Sequence, residues 1–270
     1  MSQETAQDHI SRKRVAYTMP GVDAVTVRRD EPYRASDTGP LTMDLYRPPD
    51  SSGARLPAVV VVGGYPGLGV QRVVGCKFKE MGSSVSWGRL LAASGMVAIT
   101  YENREPASDL QALLHHVRDN AAALGIDERS LGVWASSGNA PLALSVLMHE
   151  AGARIKCAAL CYGYMLDLAG SGAVAEAAQT WRFANPCAGK AVADLARDTP
   201  LFIARAGQDQ TPRLNESIDR FLAEALACNL PLTFVNLPAA PHAFDLFDDS
   251  AASREVVEQI LKFLRFHLMA

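Results

Sequence analysis

The groups best suited to chemistry in this 270-residue chain are a serine, a carboxylate and a histidine, each just beyond an apolar run. The serine lies in Ala135-Ser136-Ser137-Gly138-Asn139-Ala140, between the apolar run Leu131 to Ala135 and a helical pattern. A serine hydroxyl is a weak nucleophile at neutral pH until an imidazole takes its proton, and the imidazole needs a carboxylate to fix its tautomer and stabilise its charge. Such a serine stands on a sharp strand-to-helix turn that closes only if the residues two places either side are small. Centring on Ser137 puts Ala135 and Asn139 there, whereas centring on Ser136 puts the indole of Trp134 there, so Ser137 is the expected nucleophile. Asn139 stands where a glycine is usual, but asparagine tolerates backbone geometries closed to most residues. Paired serines before a helix also suit an N-cap, so the motif needs support from elsewhere in the chain.

That support comes from His242 and Asp209. Of six histidines, His9 lies in a polar leader, His115 and His116 mid-helix, and His149 and His267 near helix ends. His242 alone follows a strand pattern, Leu232 to Leu237, in a loop. The buried-strand run Leu201 to Ala206 leads through Gly207 and Gln208 to Asp209, which places this carboxylate at a strand end as well. Asp245, Asp248 and Asp249 are nearer His242 in sequence but belong to its loop and the start of the next helix. Acyl transfer also needs donors for the oxyanion, usually the N–H after the nucleophile and one from the loop after the central strand. Gly138 supplies the first. In Gly63-Gly64-Tyr65-Pro66, Pro66 has no N–H, so Tyr65 is the expected second donor with Gly64 in reserve.

The elements that must hold these groups alternate between strand and helix. Leu41 to Tyr46 reads as an edge strand before Pro48-Pro49, and Ala58 to Val62 as a central strand buried on both faces. There follow a helix at Trp87 to Ser94, a strand at Met96 to Tyr101, and a helix through Leu110, Leu114 and Leu124 that stops at Gly125. Beyond the Leu131 strand come a helix at Asn139 to His149, a strand at Ile155 to Tyr164, the Leu201 strand, a helix at Asn215 to Ala227, the Leu232 strand and a helix at Arg254 to His267. This is an α/β pattern: a mostly parallel sheet covered by helices on both faces, with its site at the carboxyl ends of the strands. We expect one domain over residues 41–270, with 1–40 a leader that adds at most an edge strand. Two long connections, 65–86 and 165–198, would overhang the carboxyl edge as pocket walls or a lid, the second with a helix near Val174 to Gln179. Tyr162, Tyr164, Trp181 and Phe183 are candidate pocket walls, and Arg104, just after a strand, could hold an anionic substrate or a structural salt bridge.

The stretch Leu131-Gly132-Val133-Trp134-Ala135-Ser136-Ser137-Gly138 resembles the elbow strand of the dienelactone-hydrolase-like and related esterase branch of the α/β-hydrolase superfamily. Ala240-Pro241-His242-Ala243-Phe244-Asp245 resembles that branch's histidine loop, and the likeness runs from about Leu41 to the C-terminus. It implies the α/β-hydrolase fold, the order nucleophile, acid, histidine, and cleavage of a small to medium carboxylic ester or lactone through a Ser137 acyl-enzyme. Acyl thioesterases and acyltransferases share the triad. A dienelactone hydrolase in the narrow sense would carry cysteine as nucleophile, so Ser137 points toward the esterases. The family's His-Gly-Gly loop is replaced here by Gly63-Gly64-Tyr65-Pro66.

Several other classes are disfavoured. A net charge of −3, spread along the chain, offers no surface for nucleic acid or anionic lipid. Met1 to Met19 lacks the apolar run of a secretory signal and no stretch approaches a membrane span, so no membrane partner is expected. Five cysteines, an odd number, read as reduced thiols in a cytoplasmic setting. Cys157 and Cys161 would share one strand face about 13 Å apart, too far for a disulfide and no metal site. Neither metal nor organic cofactor is expected. The pattern Gly63-x-x-x-Gly67-x-Gly69 resembles the turn of short-chain dehydrogenases, but it comes late in the chain and no tyrosine has lysine four places on. A non-catalytic hydrolase-like binder is disfavoured by the three triad types in order. The expected partner is a small acyl ester, and a homodimer is left open.

Overall fold

The structure, a computed structural model, describes residues 9–37, 39–49, 51, 53–148 and 155–270. His149, at the end of an expected helix, lies outside the described residues. Eight strands form one sheet: β1 (Thr26–Arg34), β2 (Leu41–Arg47), β3 (Leu56–Val61), β4 (Val97–Tyr101), β5 (Ile126–Ser136), β6 (Cys157–Cys161), β7 (Leu201–Ala206) and β8 (Leu232–Leu237). Their order is β1-β2-β4-β3-β5-β6-β7-β8. The pairs β1–β2 and β2–β4 are antiparallel and the rest parallel. The chain leaves β3 toward β4 and then returns past it to β5, so the order reverses at β3. Loops from β3 and β5 therefore part at their carboxyl ends, which opens a crevice there.

Between the strands run α1 (Gly67–Val74), α2 (Gly82–Ala93), α3 (Pro106–Asp119), α4 (Ala121–Leu124), α5 (Ala140–Met148), α6 (Ala173–Trp181), α7 (Leu214–Ala227), α8 (Phe244–Phe247) and α9 (Ala251–Met269). Strand alternation splits the core into two layers. Ala58 and Val60 of β3 pack with Leu110 and Leu114 of α3, Leu142 of α5 and Ile218 of α7. Val59 and Val61 face the other way, onto Trp87 and Leu91 of α2 and Ile260 and Leu264 of α9. Each such fully buried aliphatic contributes roughly 1.5–3 kcal/mol. Cys157 and Cys161 lie together in the second layer as free, buried thiols.

Three differences from the sequence expectation have physical causes. Leu41 to Tyr46 is not the edge, because β1 pairs outside it. The β1 sequence Thr-Val-Arg-Arg-Asp-Glu-Pro-Tyr-Arg lacks apolar alternation because a sheet edge is kept charged and bent. It is pinned by Lys79, whose buried ammonium donates to Asp30 at 2.5 Å and Asp44 at 2.6 Å. The helix expected through Leu124 is broken at Asn120, whose side-chain amide donates to the His116 carbonyl at 2.9 Å. Residues 65–86 hold α1 and the start of α2 rather than an open loop, and within 165–198 the helix spans Ala173–Trp181. Among the described residues no helix is long and apolar enough to cross a membrane.

Candidate active site

At the carboxyl end of β5, Ser136 is still extended, with φ −135° and ψ 154°, whereas Ser137 has φ +53°. A left-handed serine is strained, and such strain is what throws a nucleophile's side chain out of a strand-to-helix turn. Only Ser137 has that geometry in the pair. Gly138 and Asn139 are buried behind it in a single turn of 3-10 helix that runs into α5.

Asn139 has a definite job. Its side-chain oxygen accepts the Gly64 N–H at 2.7 Å, tying the loop after β3 to the elbow. The two backbones are so close that a Cβ on Gly64 would lie 2.9 Å from the Asn139 Cα, so glycine is required at 64 and a reaching acceptor at 139. Asn139→Gly, the residue usual at this place, should leave the Gly64 N–H unpaired and cost about 1–3 kcal/mol. A urea midpoint lowered at unchanged slope would show this. An unchanged midpoint would mean that water replaces the amide.

The carboxylate and the imidazole meet across two other strand ends. Asp209 follows β7 and His242 follows β8, and His242 Nδ1 and Asp209 Oδ2 are 2.6 Å apart. The Asp209 side chain is fully buried. Burial alone would raise its pKa, but hydrogen bonds from His242 and from the Thr211 hydroxyl and N–H hold it below the usual carboxylate range. Nδ1 is thereby engaged, and Nε2 is not used by this pair. Asp245, much closer in sequence, is occupied elsewhere: Trp87 Nε1–H donates to it at 2.8 Å and the Tyr162 hydroxyl at 2.5 Å. Tyr162 in turn sets its ring edge-on to the imidazole, 5.0 Å between centroids.

Ser137 and His242 line one cavity of about 550 Å³, within the range of small-molecule sites. Its wall is largely aliphatic, with Val70, Val73 and Val74 of α1, Met81, Leu246 and Ile10. Tyr65, Tyr162 and Trp181 are part of it, as are Phe78, Phe247 and Arg182. A larger depression of about 780 Å³ lies at the opposite edge of the sheet, around Arg118, Lys156 and His267, and none of Ser137, Asp209 and His242 lines it.

Several solved structures of esterases superpose on this chain. One of two fungal esterases from Rhizomucor miehei superposes with a TM-score of 0.71 at 17% identity, over 99% of this chain and 89% of that one. A bacterial heroin esterase gives 0.69 at 17% identity over 92% and 86%, and the esterase LipW from Mycobacterium marinum 0.65 at 16% identity over 89% and 81%. No protein-family model matches the chain, and no curated protein matches it in sequence. The chain has the α/β-hydrolase fold.

In an α/β-hydrolase the acting groups hang from the carboxyl ends of successive strands, and the expected residues fall there unevenly. Ser137, Asp209 and His242 sit at the ends of β5, β7 and β8. Of the expected oxyanion donors, the Gly64 N–H is spent on Asn139, which removes Gly64 from that role. Tyr65 and Gly138 face each other, since a Cβ on Gly138 would lie 2.3 Å from the Tyr65 hydroxyl oxygen. Of the expected pocket residues, Tyr162 and Trp181 line the cavity, whereas Tyr164, Phe183 and Arg104 do not. The Tyr164 hydroxyl is turned away to donate to the Pro212 carbonyl at 2.7 Å, and its ring stacks on Phe183 at 5.6 Å. Arg104 follows the β4 end, its backbone N–H donating to the Asp109 carboxylate at 2.7 Å. Sequence reasoning missed Thr211 and the α1 wall. The Asp-x-Thr spacing after β7 could have flagged the first, and the apolar spacing of Val70, Val73 and Val74 the second. Among the described residues no group of three His, Cys, Asp or Glu side chains is placed to hold a metal ion.

Proposed function

We propose that this chain is a serine hydrolase that cleaves small to medium carboxylic esters through a Ser137 acyl-enzyme. The observation that carries the reading is the left-handed Ser137 on the same cavity as His242, whose far nitrogen is held by Asp209 at 2.6 Å. In this mechanism His242 Nε2 takes the hydroxyl proton as Ser137 Oγ bonds to the acyl carbon, and returns it to the departing alcohol. Water then enters by the same route and releases the acid. The likeness to esterases at 16–17% identity supports the fold on which this chemistry sits. The dienelactone-hydrolase-like branch remains our reading of the elbow and histidine-loop sequences.

The cavity wall supports an apolar acyl group. Arg182, which caps α6, is the one cation on it among the described residues, and Arg104 does not line it. Each methylene laid against α1 is worth up to ~0.8 kcal/mol, or roughly fourfold in kcat/KM. A panel of nitrophenyl esters of increasing acyl length, with one lactone and one acyl thioester, tests this. We expect kcat/KM to climb from acetyl through butanoyl and fall once the chain outgrows the cavity. Hydrolysis of no member of the panel would overturn the reading, and preference for the thioester would change the leaving group.

A further inference from the structure

The loop after β3 is clamped on either side of Tyr65. The Gly63 N–H donates to the Tyr101 hydroxyl at 3.3 Å, and the Gly63 carbonyl accepts from the Asn103 amide at 2.8 Å. Gly64 gives its N–H to Asn139 at 2.7 Å and takes the Ala184 N–H on its carbonyl at 2.8 Å. Gly67 gives its N–H to the Asn103 side-chain oxygen at 2.9 Å. Between these clamps Tyr65 sends its side chain, not an open turn of backbone, to the reacting groups. Its hydroxyl lies against both the Ser137 side chain and the Gly138 N–H. Gly138 must be glycine to allow this, because a Cβ there would fall 2.3 Å from the phenol oxygen and 2.7 Å from Phe183 Cδ1. Phe183 fixes the tyrosine ring edge-on, with 5.9 Å between centroids.

We propose that the phenol hydroxyl of Tyr65, rather than its backbone amide, is the second donor to the oxyanion, which makes Tyr65 a catalytic residue of the hydrolysis. The inference rests on the serine-hydrolase reading and adds a group to it. In the resting site the phenol oxygen stands where a carbonyl oxygen would accept the Gly138 N–H. An arriving ester carbonyl replaces it there, and the phenol O–H points to that oxygen. When the Oγ–carbon bond forms, the carbonyl π pair moves to the oxygen, which is held by the Gly138 N–H and the Tyr65 O–H while the serine proton rests on His242. Collapse re-forms the carbonyl, breaks the bond to the alcohol oxygen and delivers the His242 proton to it. Tyr65 keeps its own proton throughout. Burial raises the phenol pKa more than its hydrogen bonds to Ser137 and Gly138 lower it, so it stays a donor at neutral pH.

The test is Tyr65→Phe, which keeps the ring and removes one oxygen. Loss of a single oxyanion donor lowers kcat by about 10²–10³ and leaves KM almost unchanged. Affinity for an aliphatic trifluoromethyl ketone should fall by the same factor as kcat/KM, while an organophosphonate still labels Ser137. A Tyr65→Phe enzyme with wild-type or higher kcat would overturn the proposal, since the phenol would then be a bystander or a plug. Should Tyr65→Phe not fold, 3,5-difluorotyrosine at position 65 provides the second arm. Its more acidic phenol should add an alkaline limb to the kcat profile as the donor is lost, and absence of that limb would also overturn the proposal. If the wild-type protein takes no phosphonate at Ser137, the serine reading itself has failed and the Tyr65 assignment falls with it.

Discussion

Ser137→Ala is expected to lower kcat for a nitrophenyl ester by on the order of 10⁶, leaving only what the oxyanion donors and binding supply. The size follows from the proposed role: in that mechanism, without the hydroxyl no acyl-enzyme forms, and His242 and Asp209 have nothing to activate. Ser136→Ala should stay within about tenfold of wild type, because Ser136 is extended strand and its hydroxyl faces Tyr162 rather than the turn. The pair of variants therefore reads the register of the elbow directly. Full activity in Ser137→Ala with loss in Ser136→Ala would shift the nucleophile by one residue and leave the φ of +53° at Ser137 without a function.

Asp209→Asn is the second large effect, a fall in kcat of about 10⁴ with little change in KM. An amide at 209 offers His242 Nδ1 an N–H as readily as an oxygen, which allows the wrong tautomer, and it cannot stabilise the imidazolium that forms on attack. The same substitution has a stability signature with a defined sign. The folded Asp209 carboxyl lies below the usual carboxylate range because of its hydrogen bonds from His242 and Thr211. Its ionised form thus stabilises the fold at pH values above the unfolded carboxyl pKa of about 4, and this contribution disappears as pH falls through the lower folded value. Wild type should lose thermal stability across that acid window more steeply than Asp209→Asn. Parallel melting curves would show that the carboxylate is not held in the way described.

The sequence disclosed the strand ends better than what lies over them. The parallel strands β3 to β8 are apolar on both faces, so Ala58 to Val62 and Leu201 to Ala206 announce themselves, and Asp209 and His242 follow by position. An edge strand within residues 1–40 was allowed for, but the bounds of β1 escaped because its charged residues answer to solvent and to Lys79, not to a core. Asn139 looked like a defect in the elbow when read by local turn chemistry alone. Its acceptor role depends on Gly64, seventy-five residues earlier, and no local pattern reports a contact of that span. The pocket misassignment has a similar origin. Tyr164 and Phe183 are aromatic residues near strand ends, but their rings stack on each other and the Tyr164 hydroxyl goes to the Pro212 carbonyl, while α1 adds Val70, Val73 and Val74 to the cavity wall. Tyr65 was singled out for its backbone N–H, and what the spacing could not report is that its hydroxyl also reaches Gly138, where a Cβ would lie 2.3 Å from the phenol oxygen.

The central claim is tested most directly by covalent labelling of the folded wild-type protein with an organophosphonate, followed by intact mass and peptide mapping. A single adduct on Ser137 is expected, absent from Ser137→Ala and retained in Ser136→Ala. An adduct on Ser136, or none on folded protein, would contradict it.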